Sequence, residues 1–186
     1  LWVVNRDGSD HRPLTSGEHN ESSPRFSPDG QRLAYLSQSE GRTQIFVRWL
    51  DTGQTAPLTN LTQSPGSLVW SPDGRQLAFS MLVPDRPQSW IQLPPKPEGA
   101  KWAPEFKVID QMLYRGDGQG YLKAGYAQLF VLPSDGGTPR QVTEGKFDHR
   151  ETPVWSRDGK SLVFSANRHE SHELEPLNSE LYEVSL

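Results

Sequence analysis

The sequence predicts an all-β chain built from repeated four-stranded antiparallel units, and three observations carry that prediction. One turn pattern occurs three times: Phe26-Ser27-Pro28-Asp29-Gly30, Trp70-Ser71-Pro72-Asp73-Gly74 and Trp155-Ser156-Arg157-Asp158-Gly159. A second apolar run follows each at a fixed offset, as Leu33-Ala34-Tyr35, Leu77-Ala78-Phe79 and Leu162-Val163-Phe164. The composition points the same way: with 16 Gly, 16 Pro and only 33% hydrophobic residues, the chain has many turns, and 6 Trp supply much of its apolar bulk.

Each element follows from that cycle. Asp-Gly between two apolar runs is a hairpin signal, because Gly takes the positive φ of a tight turn. Third strands follow at Gln44-Ile45-Phe46-Val47, Gln128-Leu129-Phe130-Val131 and Glu180-Leu181-Tyr182-Glu183-Val184, with Leu1-Trp2-Val3-Val4 as a further copy. Turns come next at Asn5-Arg6-Asp7-Gly8, Asp51-Thr52-Gly53 and Asp135-Gly136-Gly137. Short outer strands then share one ending: Arg12-Pro13-Leu14-Thr15, Ala56-Pro57-Leu58-Thr59 and Arg140-Gln141-Val142-Thr143. Proline in two of them suits an edge, where a missing amide donor costs nothing.

The spacing from Gly30 to Gly74 matches the ~40–45 residues of a propeller blade. The spacing from Gly74 to Gly159 is about twice that, yet only one third strand and one outer strand lie between them. The surplus is therefore an insertion within one blade. Runs such as Leu33-Ala34-Tyr35-Leu36 are apolar on both faces, as stacked blades require and a half-wet sandwich does not. The expected fold is an all-β β-propeller fragment of two complete blades and two partial ones. Residues 1–20 end one blade, 21–62 form the next, 63–146 form another with its insertion at about 81–126, and 147–186 begin a last one. Propellers have ~4–8 blades, so this chain is short of a ring.

Composition excludes several functions. A net charge of −4 offers no basic field for nucleic acid or an anionic membrane. No cysteine is present, which removes disulfides, thiolate metal sites and cysteine nucleophiles and fits a cytoplasmic or a periplasmic setting equally. No stretch has the apolar length of a membrane helix, and Leu1-Trp2-Val3-Val4 lacks the basic lead of a signal peptide. No cofactor and no metal are expected.

The insertion breaks the rhythm. Pro84, Pro87, Pro94, Pro95, Pro97 and Pro104 preclude a regular helix, while Trp90 and Trp102 argue against plain disorder. A packed excursion over a blade edge and a ligand-facing loop are both open readings. Here the residues resemble a family. Tyr114-Arg115-Gly116-Asp117-Gly118-Gln119-Gly120-Tyr121, then Asp135-Gly136-Gly137-Thr138-Pro139-Arg140 and Phe164-Ser165-Ala166-Asn167-Arg168, are similar to propellers of acylaminoacyl-peptidase-like members of the prolyl oligopeptidase family. The Ser-Pro-Asp-Gly turns alone are shared with TolB-like propellers. In that family an N-terminal propeller caps a C-terminal α/β-hydrolase and selects short or acylated peptides. The resemblance implies that hydrolase as partner, peptides as substrates, and no catalytic residue in this region.

The chain's own chemistry agrees. No G-x-S-x-G elbow occurs, and Ser27 and Ser71 read as turn residues. His169-Glu170-Ser171-His172-Glu173 lacks the H-E-x-x-H spacing and reads as a solvated loop. Glu170, Glu173 and Glu175 fit no amine-holding motif of dipeptidyl members. Asn20-Glu21-Ser22 and Asn60-Leu61-Thr62 match glycosylation sequons, which carry weight only in a secretory context. The candidate substrate-binding residues are Arg115, Asp117, Tyr121, Asn167 and Arg168; Arg115 and Asp117 read equally as a structural pair pinning the insertion. Two alternatives stand beside a peptidase propeller. One is a stand-alone TolB-like protein-binding module. The other is a homo-oligomer in which two copies exchange terminal strands through unpaired edges to close about six blades.

Overall fold

The computed structural model describes residues 1–16, 19–85, 94–103, 108–109, 111–118 and 120–186. Trp90, Pro87, Pro104 and Gln119, singled out above, lie outside those residues. Among the described residues the chain is all-β, with antiparallel sheets of two to four strands and no helix.

Strands β1 (Trp2–Val3) and β2 (Arg12–Pro13) pair as a two-stranded sheet. Strands β3 (Ser22–Phe26), β4 (Arg32–Ser39), β5 (Arg42–Trp49) and β6 (Thr55–Pro57) follow in simple meander order. The second four-stranded sheet holds β7 (Pro65–Trp70), β8 (Gln76–Val83), β11 (Tyr126–Pro133) and β12 (Arg140–Gln141). Its strands β8 and β11 are interrupted by the excursion that carries the small hairpin of β9 (Arg115–Gly116) and β10 (Gly120–Tyr121). A three-stranded sheet of β13 (Val154–Trp155), β14 (Ser161–Ala166) and β15 (Glu180–Ser185) ends the chain. Two full blades and two partial ones result. Met81 to Val83 pair with Gln128 to Tyr126, so the regular sheet reaches further into the excursion than the proline pattern suggests.

The Asp-Gly turns are identical in chemistry. Ser27 Oγ donates to Asp29 Oδ1 at 2.5 Å, Asp29 Oδ1 accepts from the Gln31 amide at 3.0 Å, and Ser27 Oγ accepts from the Arg32 amide at 2.9 Å. Ser71 with Asp73 and Ser156 with Asp158 repeat the set. Short polar side chains thus satisfy turn amides that no strand can reach. The glycine is required because its φ is +69° at Gly30 and Gly74 and +71° at Gly159.

Burial explains why the strands are apolar on both faces. Leu77, Phe79, Phe130 and Leu132 turn toward the first four-stranded sheet and pack with Ala34, Leu36, Ile45 and Val47. Ala78 and Val131, one residue out of phase, turn toward the last sheet and pack with Trp155 and Leu162. An aromatic pair recurs at one register in each of the three larger sheets: Tyr35 with Phe46 at 5.8 Å, Phe79 with Phe130 at 5.6 Å, and Phe164 with Tyr182 at 6.0 Å. Arg32 bridges neighbouring sheets, donating to Gly74 O at 2.8 Å and lying 4.9 Å over the Trp70 ring. Trp70 Nε1 returns a bond to Arg25 O at 2.8 Å. The two ends of the arc show the open faces of the stack. Phe26 is 58% exposed where the equivalent Trp70 is 6% exposed, and Val154 stands 65% exposed at the other end.

Candidate functional site

The best-built candidate lies beyond the end of β14, where the chain leaves the sheet at Asn167 and Arg168. The Arg168 guanidinium is half-buried between two rings, 5.6 Å over Phe147 and 5.1 Å over Tyr182. Phe147 reaches it from the loop after β12, while Tyr182 comes from β15 and stacks on Phe164. His172 closes on the Phe147 edge at 5.4 Å, and His149 meets Phe164 edge-on at 5.0 Å. Each cation–π contact contributes about 0.5–2 kcal/mol and fixes the plane of the guanidinium. Arg168 has no ion-pair or hydrogen-bond partner among the described residues. Its donors remain available to a planar acceptor such as a carboxylate.

His149 lies behind this group and is 1% exposed. Its Nδ1 is 3.2 Å from Ala127 O and 3.4 Å from Thr143 Oγ1, which places the proton on Nδ1 and leaves Nε2 buried without a partner. Burial pushes this histidine below its ordinary pKa, and the nearby Arg168 charge adds to that, so the ring is held neutral. Asp148 caps the start of β11 by accepting from the Ala127 amide at 2.7 Å.

Asn167 is already engaged. Its amide donates to Glu175 O at 2.7 Å and accepts from the His169 amide at 3.4 Å, pinning the loop between them. That loop is a run of turns, with the Leu174 and Glu175 amides both bonded to Ser171 O. Among the described residues no group of His, Cys, Asp and Glu is placed to hold a metal ion.

Arg115, Asp117 and Tyr121 sit elsewhere, on the β9–β10 hairpin of the excursion. Arg115 faces Tyr121 in the register, and the Tyr114 and Tyr121 rings lie 6.1 Å apart. No ion pair joins Arg115 to Asp117, so the structure gives no support to a pinning pair. No hydrogen bond, ion pair or ring contact connects Arg115 or Asp117 with Asn167 or Arg168. The excursion is anchored instead at its root, where Asp85 N donates to Ala124 O at 3.3 Å and Gly125 adopts φ +132°. Phe147, Tyr182 and His149 escaped the sequence reading because their meeting with Arg168 is non-local. The Phe-Asp-His run just before a first strand was the only local signal.

Comparison with known proteins gives four findings. The profile described as "TolB beta propeller domain" matches residues 1–180. The chain is 31% identical over 168 residues to the uncharacterized peptidase YuxL of Bacillus subtilis, covering 90% of this chain and 25% of that protein. It is 47% identical over 51 residues to the Tol-Pal system protein TolB of Pseudomonas aeruginosa, covering 26% of this chain and 12% of that protein. Among solved structures, the acylaminoacyl peptidase of Pyrococcus horikoshii superposes with a TM-score of 0.67 at 18% identity, over 100% of this chain and 26% of that one. The chain therefore spans about a quarter of the peptidases it resembles.

Proposed function

The chain belongs to the family of TolB β-propeller domains, and from that premise we propose that it is the propeller portion of a serine peptidase. In this reading the propeller gates and selects short or acylated peptides for a C-terminal α/β-hydrolase domain encoded beyond these residues. The observation that carries it is the extent of the peptidase match. The alignment to the Bacillus peptidase, at 31% identity, runs over 90% of the chain, a length that takes in the excursion, whereas that to the Pseudomonas TolB protein covers 26%. The stacked Arg168 suits the role: a cation without a carboxylate partner holds a peptide carboxylate or carbonyl at low entropic cost.

The catalytic serine is not expected among these residues, since no G-x-S-x-G occurs in the sequence. The test is labelling of the full polypeptide with a fluorophosphonate, alongside hydrolysis of acylaminoacyl p-nitroanilides. Labelling of a serine outside residues 1–186, with turnover abolished by the label, is the expected result. A polypeptide that neither labels nor hydrolyses sinks the peptidase reading and leaves a TolB-like binding module, the reading favoured by the local identity to TolB.

A further inference from the structure

Arg168 stands among acids that it does not use. Within residues 161–186 it is the single Lys or Arg, against Glu170, Glu173, Glu175, Glu180 and Glu183. A guanidinium in such company gains by pairing with one of them, yet among the described residues none lies within ion-pair distance of it. Three of these glutamates are engaged elsewhere. Glu175 accepts from the Asn178 amide at 3.2 Å, and Glu183 accepts from the Ser161 hydroxyl at 2.5 Å. Glu180 accepts from the Tyr182 hydroxyl at 3.2 Å and lies 3.8 Å from His169 Nε2. Glu170 and Glu173 are exposed on the turns that follow Arg168. The rings of Phe147 and Tyr182 meet the guanidinium through its π system, so its in-plane N–H donors stay open.

The site is built between two successive sheets and not at either open end of the arc. Phe164 and Tyr182 face the preceding sheet, where they pack with Leu129 and Val142. Phe147 lies on the β12–β13 connection and Arg168 on the β14–β15 connection. Alternate connections of an antiparallel meander return to the same end, so both emerge on one rim. The β8–β11 excursion emerges there too, and its Lys123 Nζ donates to Gln63 Oε1 of the β6–β7 connection at 3.1 Å.

The charge pattern selects the ligand. A phosphate or a polyacid would meet the carboxylates of Glu170, Glu173, Glu175 and Glu180 together with the arginine, and like-charge repulsion acts over about 8 Å in physiological salt. A lone planar carboxylate brings one charge and fits the guanidinium edge with two parallel bonds. An N-acylated peptide with neutral side chains carries one such group, its C-terminal carboxylate. Resting on the reading of this chain as the propeller of a peptidase for short or acylated peptides, we propose that Arg168 receives the free C-terminal carboxylate of the substrate peptide, with Phe147 and Tyr182 fixing the guanidinium plane. The site then measures a peptide from its C-terminal end. A peptide whose C-terminus is amidated, or is held in a folded domain, does not make this contact.

The test is binding to the full polypeptide with its fluorophosphonate-reactive serine changed to alanine, or to the unaltered polypeptide where it neither labels nor hydrolyses. Acetyl-tetraalanine is titrated as the free acid and as the C-terminal amide. The acid is expected to bind about tenfold more tightly, the scale of one charge-assisted bidentate pair. Arg168→Met is expected to bring the two forms to equal affinity, with that of the amide moved by no more than about twofold. Arg168→Lys keeps the charge without the planar fork and should retain only part of the preference. Equal binding of acid and amide by the wild-type site overturns the inference without recourse to a variant and leaves the peptidase reading standing. A preference undiminished in Arg168→Met overturns it too. So does an amidated peptide with one internal aspartate that binds as tightly as the free acid, since the site would then read side chains. An acid preference in a polypeptide that fails to label would reject the peptidase reading while upholding the carboxylate site.

Discussion

Replacing Thr143 by valine removes one hydroxyl at nearly constant volume, and the structure says what that hydroxyl does. Thr143 is buried. Its oxygen accepts from the Leu129 amide at 2.8 Å and donates to Gln128 Oε1 at 2.9 Å. Valine leaves both groups inside the sheet without a partner. An unsatisfied buried donor or acceptor costs about 1–3 kcal/mol, so Thr143→Val is expected to cost about 2–4 kcal/mol. Urea unfolding of the chain reads this directly. Thr138→Val, on the exposed turn before β12, is the control and should fall within about 0.5 kcal/mol of wild type. The Leu129 amide should also lose exchange protection in Thr143→Val and in no distant variant. Adding Gln128→Leu should be less than additive, with a coupling of about 1–2 kcal/mol. Thr143→Val indistinguishable from the control would refute the reasoning that a side-chain clasp, rather than the short β12 ladder, holds the outer strand.

Five further outcomes follow from other parts of the molecule. Gly125→Ala should destabilise by about 3 kcal/mol or more in the same assay, because an added Cβ would lie 2.3 Å from Val83 O at a φ of +132°. Arg32→Ala removes the bond to Gly74 O and the stack on Trp70, and should cost about 1–3 kcal/mol. His149 is depressed by burial, so its contribution is full above its ordinary value of about 6.5 and is lost as pH falls below it. A stability profile should show a loss starting there that His149→Gln flattens. The turn aspartates Asp29, Asp73 and Asp158 are lowered first by their serine hydroxyls, so their contribution is retained above the ordinary carboxylate range and lost only below it. A separate, more acidic phase that weakens in Ser71→Ala is expected. In the full polypeptide, Arg168→Met should raise KM about tenfold for short peptides with kcat unchanged, and an unchanged KM would remove Arg168 from substrate binding.

The repeat was legible because every blade needs the same local chemistry. The Ser-x-Asp-Gly turn satisfies its own amides, and the Leu-Thr ending holds the outer strand, so both leave a fixed signature in the sequence. The alternation of Leu77, Ala78 and Phe79 between two neighbouring sheets accounts for strands that read as apolar throughout. What the sequence hid is non-local. Arg168 finds Phe147 and Tyr182 from two other segments, and no spacing announces that meeting. The threonine endings were visible as a pattern, yet their partner, an amide 14 residues upstream, carries no side-chain signal. Arg115 and Asp117 drew notice as a charged pair two positions apart on the hairpin, but side chains at that spacing need not meet, and here no ion pair forms.

In the proposed role this propeller admits peptides by size to a hydrolase it covers. That role is tested most directly by giving the full polypeptide one scissile sequence in two settings, a peptide of about ten residues and a loop of a folded protein. Cleavage of the peptide and none of the folded protein is expected, with denaturation of the latter restoring little unless it is first cut short. Equal cleavage of both would contradict selection by the propeller, and cleavage of neither would contradict the peptidase itself.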